Sequence, residues 1–158
     1  MLRRAVLLIA FAALAAVAVP GAARAETLTI QVTSVVITIK PIDKRPKGSS
    51  AGDRIVYRDK LLNAVRQFGK PRGARVGSDQ GTMTFTSPHT ARFDGSARLP
   101  GGSVRIKGNV RPIAGGGIRI PVAGGTGRYS GATGTLTVGP GEKQAPNVYE
   151  LTLPGTIA

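Results

Sequence analysis

The stretch IPVAGGTGRYSGATGTLTV (120–138) sets Gly124, Gly125, Gly127, Gly131 and Gly134 within eleven positions. Such a run could cradle a nucleotide phosphate on backbone N–H groups. That chemistry needs a strand before the glycines and a helix after them, because the helix N-terminus holds the phosphate. Here the spacing G-T-G-R-Y-S-G is one residue off the dinucleotide pattern, and no Gly-Lys-Ser/Thr ending follows. Thr133 to Val138 alternate as a strand would, and Gly139-Pro140-Gly141 ends them in a turn. The glycines therefore read as tight corners and points of close approach between strands. Other catalytic sets are lacking: His89 is the single histidine, and no cysteine exists to ligate a metal or pair with it. No serine has a partner-histidine pattern for a triad, and neither metal nor cofactor is expected.

A carboxylate offers more. In DRIVYRDK (53–60), Ile55, Tyr57 and Asp59 share one parity, opposite Arg54, Arg58 and Lys60. An acid on the apolar side of a strand has its ionised form disfavoured, which is one way a site acid is made. The same residue also fits a rim acid paired with Arg58 or Lys60, or a turn cap.

These side chains need a frame, and the rest of the chain supplies its outline. Arg3 and Arg4 precede an uncharged apolar run from Ala5 to Val19, Pro20-Gly21 breaks it, and Ala23-Arg24-Ala25 fits a small-x-small cleavage site. Residues 1–25 are thus expected to be a secretory signal peptide, with the protein exported to the periplasm or the extracellular space. The remaining 133 residues, 26–158, suit one domain with a real core. Within them, period-two runs recur between Gly/Pro punctuation at 27–40, 53–60, 74–87, 90–99, 103–112, 117–122, 129–138 and 147–153. Eight short strands at this spacing predict an all-β antiparallel barrel or sandwich, with a flexible loop over 41–52. LLNAVRQF (61–68) is read as loop.

Alternation also assigns faces. Val104, Ile106, Gly108 and Val110 oppose Arg105, Lys107, Asn109 and Arg111, as a half-buried sheet requires. In the first run the apolar parity switches between Val32 and Val35, which predicts a bulge near Thr33-Ser34. Removing Arg3, Arg4 and Arg24 leaves 19 basic against 8 acidic residues, a net +11. The arginines are spread over many strands as a solvated wall, and the aromatics are few, so no nucleic-acid partner is expected. Membrane insertion is not expected either: the chain lacks Trp for an interfacial girdle, and most runs are shorter than a spanning strand.

Three segments, GDRIVYRDKLL (52–62), VGSDQGTMTF (76–85) and IPVAGGTGRYSGATGTL (120–136), resemble the allene oxide cyclase and dirigent superfamily in motif, order and spacing. The resemblance implies a single eight-stranded antiparallel barrel of the calycin type, often a homo-oligomer (trimer or dimer), whose lumen holds a small hydrophobic molecule. Members steer cyclisation or radical coupling by confining reactive molecules. It further implies that Asp59, at the pocket-asparagine position, is the polar anchor or proton handler. Tyr57, Met83, Phe85 and Phe93 would line the lumen, and Tyr129 would stand at its mouth. The cyclases' first-strand glutamate has no clear counterpart; Gln31 is the nearest polar candidate. The alternative is a non-catalytic extracellular module, plugged by its own side chains, that binds through its basic outer surface.

Overall fold

The alternating runs fold into nine antiparallel strands in the computed structural model, which describes residues 24–44 and 50–155. They are β1 (Glu26–Ile42), β2 (Arg54–Asn63), β3 (Arg75–Ser87), β4 (Thr90–Leu99), β5 (Gly102–Asn109), β6 (Arg111–Pro112), β7 (Ile118–Gly127), β8 (Thr133–Val138) and β9 (Gln144–Leu153). The leader expected over 1–25 falls outside the described residues except for positions 24 and 25, and so do positions 45–49 of the 41–52 loop. At that loop's start, Pro41 and Ile42 still belong to β1, where they pair with Ile55 and Arg54.

The sheet runs β5-β4-β3-β2-β1-β9-β8-β7-β6, and β5 pairs with β7, so the edges meet and the sheet closes. Since β6 has two residues, the barrel is built of eight full strands. The run predicted over 103–112 divides at Val110, whose N–H donates to the Ala91 carbonyl at 2.9 Å. Leu61 to Asn63, expected as loop, extend β2 instead. Asn63 is buried there, and its amide donates to the carbonyls of Gln67, Lys70 and Pro71 at 2.9, 3.1 and 3.2 Å, tying down the loop behind it.

The bulge lies later than alternation predicted. β1 stays in register with β9 through Val35, and Ser34 takes the next inward position, its hydroxyl donating to the Ala145 carbonyl at 3.3 Å. The slip falls between Val36 and Thr38, leaving Ile37 outside the ladder with β2 and 54% exposed. A small polar residue can occupy a core position when the opposite backbone accepts its proton, and parity counting cannot see that.

Inside, Ile30, Val32, Leu61, Val104, Ile106, Ile120, Leu136 and Tyr149 are almost wholly buried, whereas Arg54, Arg58, Arg92, Arg98 and Arg105 point out. This apolar-in, charged-out order is the reverse of a lipid-facing barrel. The strand-length argument against membrane insertion does not hold, however, since β1, β2, β3, β4, β7 and β9 each have ten or more residues.

β7 continues through the glycine run to Gly127, and a turn returns the chain to β8. That turn buries Tyr129 completely, its hydroxyl donating to the Pro100 carbonyl at 2.9 Å. Tyr129→Phe leaves that carbonyl unpaired and should lower the unfolding free energy by about 1 kcal/mol in urea titrations, with no change of fold.

Candidate functional site

Register between β2 and β3 sets Asp59 directly opposite Asp79, with Val36 beyond one and Ala97 beyond the other. Both carboxyls are on the inward parity, at 7% and 3% exposure. Directly opposed residues hold their Cβ atoms about 5 Å apart, close enough for two carboxylates to repel strongly in a dry interior. Burial pushes Asp59 up to about 6. Asp79 rises to about 7, chiefly through burial and then through the Asp59 carboxylate, while its own backbone N–H opposes the rise. Two such groups hold one proton between them near neutrality.

Two phenols complete the cluster. Tyr149 is fully buried on β9, and Tyr57 lies on β2 two residues before Asp59. Burial first, and then the nearby Asp79 and Asp59 carboxylates, raise both phenols above their ordinary range, so both remain neutral donors. One oxygen each of Asp59, Asp79, Asn63 and Asn147, together with the Tyr149 hydroxyl, is buried without a hydrogen-bond partner in the protein. Buried polar atoms are rarely left so, and these five lie on β2, β3 and β9.

Apolar walls frame the acids. Tyr57 and Phe93 stack with ring centroids 5.8 Å apart and planes tilted by 30°. Phe93 fits because two glycines lie beneath it: a Cβ on Gly81 would stand 2.5 Å from its Cζ, and one on Gly95 2.8 Å from its Cε1. The small residue at 95 thus makes room for a side chain rather than for a void. Met83 pairs across to Ile55 and Phe93, and it is partly buried against the core. Phe85 stands at the rim, its N–H donating to the Asp53 carbonyl at 2.8 Å. Half-buried Ile55, Tyr57, Met83 and Phe85 make this the more open end of the barrel.

Gly52-Asp53, read as part of a family motif, is structural. The Asp53 carboxylate accepts the N–H groups of Lys44 and Ser50 at 2.8 and 2.7 Å, closing the loop before β2. These bonds hold its pKa below the ordinary value.

Of the sequence candidates, β2, β3 and β4 bring Asp59, Tyr57, Met83, Phe85 and Phe93 to one interior. Gln31 does not join them. It alternates with buried Ile30 and Val32 and so faces outward, its backbone carbonyl accepting from the Gln67 amide. Tyr129 is not open to a guest either: it is wholly buried, and its hydroxyl is committed to the Pro100 carbonyl. Sequence reasoning missed Asp79 and Tyr149. Parity would have found both: Asp79 shares the phase of Gly77, Gly81 and Met83, and Tyr149 that of Leu151 and Leu153.

A closed antiparallel barrel with an acid pair and two phenols directed inward defines a small β-barrel with a luminal polar site. The sequence matches the allene oxide cyclase barrel-like domain over residues 33–149. The chain belongs to that family. No curated protein matches it in sequence. Among solved structures, it is similar to a pyocyanin demethylase (TM-score 0.67, 21% identity, 78% of this chain and 99% of that one). It is also similar to an exo-specific intermolecular Diels-Alderase (TM-score 0.66, 13% identity, 82% and 98%). A third is a pterocarpan synthase dirigent protein (TM-score 0.60, 14% identity, 85% and 87%). At these identities the likeness is one of fold.

Proposed function

We propose that the barrel is an exported protein that takes a small, largely apolar molecule into its lumen and steers its cyclisation or coupling. The observation that carries this reading is the pair of buried, unpartnered carboxyl oxygens of Asp59 and Asp79, opposed across β2 and β3, with the unpartnered Tyr149 hydroxyl near them. A carboxyl that keeps its proton near neutrality can donate it to a carbonyl oxygen or a ring heteroatom of the guest. That donation makes the adjoining carbon more electrophilic, and its ionised neighbour can take up a proton released elsewhere. Tyr57 and Phe93 offer aromatic faces that fix the guest's plane, so reaction follows from orientation more than from covalent chemistry. Among the described residues, the buried polar ones include no Lys, Arg or His, so a guest with an anionic group inside the barrel finds no counter-charge from them. The names of the structural neighbours, which include a Diels-Alderase and a dirigent protein, support the same class of event.

The test is ligand-dependent stabilisation. At a hundred times its Kd, a guest selective for the folded state stabilises it by about 2.7 kcal/mol. A panel of neutral aromatic enones, quinones and phenols should contain members that raise the thermal midpoint, and Asp79→Asn should weaken those members or flatten the pH dependence of their binding. A midpoint unmoved by every member overturns the reading and favours a plugged interior.

A further inference from the structure

We infer that the outer wall over β2, β3 and β4 is a binding site for an acidic polysaccharide, with anionic groups seated between Arg58, Arg75 and Arg98. A cleft of about 480 Å³ lies among these three side chains, with Ser78, Gln80 and Ser96 between them. Asp79 also borders it, but that carboxyl is buried on the luminal side of the sheet, at 3% exposure. A longer trough of about 1010 Å³ shares Arg58, Gln80 and Ser96 with the cleft and carries on past Lys40 and Arg105. The two together form one furrow, which suits a chain with repeated anionic groups better than a single ion.

The charge on this wall is strongly one-sided. Asp94 is the acid of the trough, and it is already held by Arg105 at 3.6 Å and Lys107 at 3.3 Å. Among the described residues, Arg58, Arg75 and Arg98 have no ion-pair partner. The opposite wall differs: the outward residues of β8 are Thr133, Thr135 and Thr137, and their neighbours on β9 are Thr152, Glu150 and Val148. Cations gathered over three adjacent strands, against a β8·β9 face whose outward residues include Glu150 and neither Lys nor Arg, make a directed electrostatic surface.

Hydrogen-bonding side chains between the guanidinium groups suit sugar hydroxyls. Ile37, thrust out by the bulge, adds an apolar contact at the edge of the cleft. The wall offers little to single-stranded nucleic acid: Tyr57 borders the trough, but it takes the inward parity and packs on Phe93, and Phe85 and Phe93 take that parity too.

The mature chain is titrated with polygalacturonate, dextran sulfate, unmodified dextran and a short DNA duplex, at about 0.15 M salt, where long-range attraction is largely screened. One or both acidic polysaccharides should bind and dextran should not; which of the two binds better distinguishes carboxylate from sulfate. Arg58→Ser/Arg75→Ser/Arg98→Ser should weaken binding at least about tenfold. The control Arg111→Ser/Arg119→Ser/Lys143→Ser removes equal charge elsewhere and should weaken it less than about threefold. Circular dichroism melts of both variants verify folding. Equal losses in the two variants, DNA binding tighter than either polysaccharide, or no binding at all would each overturn the proposal.

Discussion

Raising the pH from about 4 to about 8 should destabilise this barrel by on the order of 5 kcal/mol, the opposite of the usual acid-sensitive carboxylate. Asp59 and Asp79 have their pKa values raised in the fold, to about 6 and about 7, from an ordinary 3.8. Between the unfolded and folded values the native state holds protons that the unfolded chain has released. Stability therefore falls as pH rises through that window. The contribution is complete below pH 3.8 and is lost above the folded values. Asp53 acts the other way and in another range: its lowered pKa gives stability above 3.8 that disappears as pH falls below it. A midpoint near pH 8 lower by roughly 10–20 °C than near pH 4.5 is expected for a domain of this size. Asp59→Asn/Asp79→Asn should be more stable than the parent near pH 8 and should flatten the profile. A parent profile that is flat, or that rises with pH, would mean that the two carboxyls are solvated and would remove the acid pair from the proposed site.

The pair is thus costly to keep where no guest is bound, and that cost is a reason to connect it with function: buried groups that lower stability persist where they are used. Their visibility in the sequence was uneven. The barrel was legible because alternation, turn residues and motif order all pointed the same way, and β4 begins and ends at the residues alternation assigned, Thr90 and Leu99. Asp59 was legible by parity. Asp79 obeys the same parity, yet in VGSDQGTMTF it sits among glycine, serine and glutamine, where no run of apolar residues announces an inward face. The misplaced bulge has a related origin, since Ser34 looks outward by composition and is inward by hydrogen bonding. Gln31 and Tyr129 were assigned by resemblance rather than by register, and it is register and a committed hydroxyl that place them elsewhere. What sequence patterns convey poorly is which polar group finds a partner across the sheet.

Barrel closure gives the second large effect. Gly127→Ala should cost about 3 kcal/mol or more, whereas Gly69→Ala should cost about 1 kcal/mol. The two glycines have nearly the same left-handed backbone, with φ of 59° and 67°. They differ in what a methyl group would meet. At Gly69 nothing lies within 4 Å, so the substitution carries only the conformational penalty. At Gly127 the new Cβ would stand 2.2 Å from the Gly101 carbonyl oxygen and 3.2 Å from the Gly102 Cα. Gly127 pairs with Gly102 in the β5·β7 ladder, the contact that closes the sheet on itself. Relief would require β5 and β7 to part where Ser103 and Val104 pair with Thr126 and Gly125, and no flexible side chain is there to yield instead. Urea titration of both variants measures the difference. Amide exchange locates it: protection at Ser103, Val104 and Thr126 should fall in Gly127→Ala alone, while the β1·β2 ladder keeps its protection. Equal costs in the two variants would show that backbone conformation, and not close approach of the strands, is what the glycine run supplies at this seam.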